Sequence, residues 1–144
     1  MDPYPASDFH AMNAATAVIV AIVWVSLFSL VAEPNRRLIN AILMAGASGA
    51  YLNGGMGGLE FVFAIAVLFC AYRGLQQHAF IGVGWLLHTG WDIVHHFTGH
   101  PIIGWLPTSS GECAITDALL AVWFFLGAPS VWALFRNRST QASA

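Results

Sequence analysis

The 144-residue sequence contains no lysine, and its five arginines are the whole of its standing positive charge. Only 8% of the chain is charged and 58% is hydrophobic, whereas a soluble domain carries about 25% charged residues. Such a chain cannot coat a surface that faces water, so an ordinary soluble domain is excluded and a bilayer is the expected solvent. With a formal net charge of −2, there is no basic footprint for nucleic acid. Cysteine is equally scarce: Cys70 and Cys113 form no CxxC or CxxCH motif, which leaves no sign of a redox dithiol or a c-type haem. The two are expected near opposite membrane faces, too far apart for a disulfide. GxSxG, Walker A and HExxH are also absent, so the standard soluble-enzyme mechanisms have no foothold.

What is present is a series of apolar segments at 12–31, 38–53, 59–72, 79–97 and 114–135. They predict an all-α, five-helix transmembrane bundle, one membrane domain over 1–144, since each crossing takes about 20 apolar residues. The second and third segments are short, and Gly54, Gly55, Gly57 and Gly58 separate them around Met56. Two short glycine-flanked spans are preferred over a re-entrant hairpin, which would bury irregular backbone. The N-terminal stretch carries Asp2 and Asp8 and no basic residue. It lacks the positive region of a cleavable signal peptide, so the first span is expected to be retained.

The arginines fall after the first segment (Arg36, Arg37), after the third (Arg73) and after the fifth (Arg136, Arg138). Five crossings put all of them on one side, which the positive-inside rule makes cytoplasmic. The expected protein is therefore a multi-pass plasma (inner) membrane protein with its N-terminus outside and its C-terminus in the cytoplasm. Ala41, Ala45 and Gly49, with Gly46 and Ala50 beside them, form a small-residue stripe suited to close helix packing in lipid. Within the chain that stripe serves packing; a homo-oligomer or a larger membrane complex is the alternative use.

Most of the chemistry lies in LLHTGWDIVHHFTGHPIIGW. His88, Asp92, His95 and His96 follow H-x3-D-x2-H-H and share an arc of about 100° on one helix face. His88 falls roughly 13 Å below the outer end of that helix at 1.5 Å per residue. A charged group at such depth costs about 2.5–3.5 kcal/mol even on the mildest scale, so partners are required. Glu60, which opens the third span, and Asp117, which opens the fifth, are the candidates within the bundle. Glu112, His100, Asp8 and His10 lie in the outer loops, and Glu33 alone among the acids is cytoplasmic.

Three readings compete. Imidazole with carboxylate is the ligand set of zinc, iron, manganese or copper, and ligands from facing helices would complete a bundle-core site. That reading leads, with His88, Asp92, His95 and His96 as ligands and Glu60 or Asp117 as the catalytic base. It allows a metal-dependent hydrolase or oxidoreductase acting on a lipid or other apolar substrate. A proton relay or small transporter is the second reading, and a hydrogen-bonded network that locks the packing of a structural subunit is the third. His78, beside Gln76 and Gln77, is read as solvated, and the tryptophans as packing or interfacial anchors. The stretch from Phe97 to Cys113 is read as an interfacial loop anchored by Trp105, or else as a lid over the cluster.

The five-span outline and the segment bearing His88, Asp92, His95 and His96 resemble a small bacterial multi-pass integral-membrane family of unknown function, over most of the chain. The resemblance implies a membrane bundle and brings no catalytic assignment. The number and spacing of the histidines depart from the intramembrane ceramidase and membrane di-iron desaturase patterns.

Overall fold

Among the described residues each apolar segment carries one long helix, residues 131–133 are helical as well, and proline or glycine marks every break. The computed structural model describes residues 9–52, 55–133 and 136. Asp2, Asp8, Asn53, Gly54, the end of the fifth segment at 134–135 and the tail after 136 lie outside them. The helices are α1 (Ala11–Phe28), α2 (Asn35–Ser48), α3 (Gly58–Gly74), α4 (His78–Thr98) and α5 (Ser109–Phe125), and a 3-10 turn, Gly49–Tyr51, prolongs α2. Among the described residues there is no strand. Gly57 (φ 64°) precedes α3 and Gly99 (φ 71°) ends α4, both in the half of φ space that glycine enters without steric cost.

The helices alternate in direction between two ends. At one end the Arg36 guanidinium donates from Nε to Phe28 O (3.0 Å) and Val31 O (2.9 Å), and from Nη1 to Ala128 O (2.6 Å). Arg37 Nε donates to Leu75 O at 3.1 Å, and His78 Nε2 meets Glu33 Oε1 at 3.0 Å. The C-terminal ends of α1, α3 and α5 are thus gathered with the N-terminal ends of α2 and α4. At the other end, Asn13 Nδ2 donates to Glu112 Oε1 at 2.7 Å, joining the starts of α1 and α5. His78, read as solvated, thus has the Glu33 carboxyl as a partner there.

α4 is central, packed on α5 on one side and on α3 and α2 on the other, while α1 packs on α5. The core beneath the polar cluster is apolar: Met44, Val67, Ile81, Leu120 and Phe124 are fully enclosed. At Gly84 a Cβ would collide with Met44 Sδ, so glycine there lets α2 and α4 approach. The outer surface inverts this pattern. All five helices leave large apolar side chains exposed, among them Ile22, Ile42, Ile65, Leu86 and Val122.

Among the described residues α1 alone is both long and apolar enough to cross a membrane by itself. α2, α3 and α5 have 14, 17 and 17 residues, and the 21-residue α4 carries the polar cluster. The fifth helix is also displaced from the 114–135 expected of it. It starts at Ser109 and stops at Phe125, where Gly127 (φ 83°) and Ala128 (φ 48°) turn the chain. Ser109 and Ser110 are buried; hydropathy reads such residues as loop because it cannot tell a polar side chain facing solvent from one facing the bundle.

Candidate functional site

The inward face of α4 places His88, Asp92 and His95 in the half of the bundle away from the arginines, each at most 1% exposed. Their mutual spacing of four and three residues stacks them on one stripe. Against that stripe lies the ring of Tyr51, 5.7 Å from His88 and 5.4 Å from His95 between centroids. Its hydroxyl donates a short hydrogen bond to Asp92 Oδ1. Phe63 closes the same space, 5.2 Å from both Tyr51 and His88.

The two imidazoles are held alike. His88 Nδ1 bonds Gly84 O at 3.0 Å and His95 Nδ1 bonds His100 O at 2.9 Å. A carbonyl only accepts, so Nδ1 of each ring carries the proton and Nε2 of the neutral ring is left as a lone pair. Neither Nε2 has a partner among the described residues, and Asp92 Oδ2 has none either. Three buried acceptor atoms without donors therefore share one helix face. A backbone carbonyl on the remote ring nitrogen is also how proteins orient an imidazole that ligates through the other nitrogen.

Asp117 comes from the third turn of α5, 7% exposed, and its carboxyl neighbours that of Asp92. Two neighbouring carboxyls need a proton or a cation between them. Glu60 is buried too, but its Oε1 accepts from Met56 N at 2.9 Å. It caps the turn that leads into its own helix. His96 stands apart from the stripe. It lines a separate apolar cavity of about 400 Å³ with Phe9, Ile93 and Ile115, and its ring meets Phe9 edge-on at 5.6 Å. The 100° arc read from the sequence is wide enough that its edge falls into the next groove. Among the described residues no three His, Cys, Asp or Glu side chains converge as a formed metal-binding group.

A second cavity, of about 550 Å³, is lined by Tyr51, Trp85, His88, Cys113 and Asp117 together with Trp24 and the C-terminal half of α2. Cys113, expected in a loop, sits in the second turn of α5. The loop after α4 roofs this cavity with Ile102, whose N–H bonds Ser110 Oγ at 3.2 Å, while Ile103 N bonds Ser109 Oγ at 3.0 Å. Trp105 at its tip is 82% exposed. Tyr51 was not singled out in the sequence; at the end of a segment beside a glycine run, nothing local marks it as the partner of a residue 41 positions away.

A family model described as "Family of unknown function (DUF6010)" matches residues 12–130. No curated protein and no solved structure matches the chain.

Proposed function

The chain belongs to DUF6010, a family of unknown function, and from its own geometry we propose a five-crossing membrane protein with an outward-placed, metal-binding site that acts on an apolar substrate. Three features support the crossings. The helices alternate between two ends, Arg36 and Arg37 gather the loops of one end, and every helix turns large apolar side chains outward. α3 and α5, at 17 residues each, reach the lower limit of about 17 residues for a span. The positive-inside rule then sets the arginine end in the cytoplasm and the His/Asp site beneath the outer face of the plasma membrane.

The observation that carries the metal reading is the set of donorless acceptors: His88 Nε2, His95 Nε2 and Asp92 Oδ2, beside the Asp117 carboxyl. Buried acceptors without donors are costly, and a cation answers several at once. An ion would sit on Asp92, beside the neighbouring Asp117 carboxyl, with His88 or His95 as the imidazole ligand. Zinc, iron, manganese and copper all accept this ligand chemistry. Bound there, an ion would supply an activated water or a redox centre. Asp117, at the cavity wall, is the residue placed to take a proton from the reacting group. A conducting path is disfavoured because Met44, Val67, Ile81 and Phe124 seal the core below His88.

Elemental analysis of protein purified without chelator tests this. Stoichiometric transition metal is expected in the wild type and should be lost in Asp92→Asn and His88→Ala, while His78→Ala, altered only at the arginine end, keeps it. A wild-type protein that holds no transition metal after incubation with each of the four ions overturns the reading.

A further inference from the structure

α1 and α2 diverge. Each packs chiefly on other helices, α1 on α5 and α2 on α3. Toward the arginine end they are tied by Trp24 Nε1, which donates to Asn40 Oδ1 at 2.8 Å. Beside that tie the 550 Å³ cavity opens along α2, with Ile42, Leu43, Gly46 and Ala50 on the α2 wall and Trp24 reaching it from α1. Ile42 and Leu43 are themselves exposed on the flank of the bundle. The small residues of α2 therefore do not all serve packing. A Cβ built on Gly46 meets nothing within 4 Å, so the stripe read as a helix contact in part borders open space.

Deepening the reading above and resting on it, we propose that this opening is a lateral portal through which a single-chain lipid alcohol enters the site from the bilayer. The volume lies within the ~300–1,000 Å³ of small-molecule sites, room for one hydrocarbon chain along the apolar α2 wall. Toward α4 and α5 the lining turns polar, with Trp85, His88, Cys113 and Asp117. The head group is selected by what is missing there. Trp85 Nε1 is a buried donor without an acceptor, and the Asp117 carboxyl in the same lining is an acceptor. A hydroxyl answers both, since it donates and accepts at one atom. The lining holds no arginine to take an anionic head group, and an ammonium would leave the indole N–H unanswered.

The probe is hexadecanol carrying a photoreactive diazirine in its chain, added to the full-length protein in nanodiscs, with cross-linked peptides identified by mass spectrometry. Labelling is expected on the cavity side of α2 and around Trp85 of α4, competed by unlabelled hexadecanol. Gly46→Leu fills the gap without a clash at Cβ and should cut that labelling roughly tenfold, about 1.4 kcal/mol of binding. Gly90→Leu, at an exposed helical glycine that also has open space around it, should leave it unchanged. Metal content of Gly46→Leu is measured in parallel and should match wild type, so loss of the lipid and loss of the ion are read separately. Labelling spread evenly over the outward faces of α3, or unaffected by Gly46→Leu in folded protein, overturns the portal. Photoreactive palmitate labelling the same peptides as strongly as the alcohol overturns the choice of a neutral head group.

Discussion

Tyr51 and Asp92 join the C-terminal ends of α2 and α4 through one buried hydrogen bond, in which the phenol donates to Asp92 Oδ1. Oδ2 has no hydrogen-bond partner among the described residues and neighbours the Asp117 carboxyl, so the phenol is the donor that holds this carboxyl in place. Tyr51→Phe keeps the ring against His88 and His95 and removes only the donor. We expect a loss of about 1–3 kcal/mol, the cost of leaving a buried acceptor unpaired. Thermal unfolding in detergent micelles measures it, and a midpoint equal to wild type would show that the bond contributes nothing to folding.

Arg36 is 7% exposed and donates to three carbonyls drawn from the end of α1, the turn after it and the turn after α5. It works as a three-way clamp at the arginine end. Arg36→Ala should destabilise by roughly 3 kcal/mol, since hydrogen bonds from charged groups contribute about 1.5–3 each. Arg36→Lys should recover little, because an ammonium is a point donor and cannot reproduce the planar fork. Unfolding midpoints of the two variants test this, and full recovery by lysine would mean that charge alone matters there.

Much of this was legible in the sequence. The helices fall in the five apolar segments because lipid-like composition and proline or glycine breaks act locally. The pairing of His88, Asp92 and His95 follows from helical spacing alone. What could not be read depends on rotation about the helix axis and on distant partners. His96 sits one residue beyond His95 and turns into another groove, and Tyr51 is brought in by the fold of α2 against α4. The early start of α5 escaped for a related reason: Ser109 and Ser110 are polar but serve the roof loop as hydrogen-bond acceptors.

Orientation in the bilayer is tested at two exposed positions, Trp105 at the tip of the roof loop and Gln76 beside Arg73. With Cys70 and Cys113 replaced by alanine, Trp105→Cys should react with a membrane-impermeant maleimide in intact cells. Gln76→Cys should react only after the membrane is opened. The reverse pattern would invert the topology, and reaction of both in intact cells would mean that the stretch between them does not cross.

His95 and His96 are neighbours in sequence with opposite surroundings, which makes them a matched pair for locating the site. His95 is 1% exposed, oriented through Nδ1 by His100 O, and lies against Tyr51. His96 packs on Phe9 at the apolar cavity between α4 and α5. If an ion is held by the Tyr51 side of α4, His95→Ala should lower bound metal as His88→Ala does, because a ligand or its close support is gone. His96→Ala should leave metal content at the wild-type value and change only stability, through lost packing on Phe9. Both variants are read by elemental analysis of folded, monodisperse protein. Metal lost on His96→Ala and retained on His95→Ala would move the site to the other face of α4, where Asp92 and Asp117 could not both serve it.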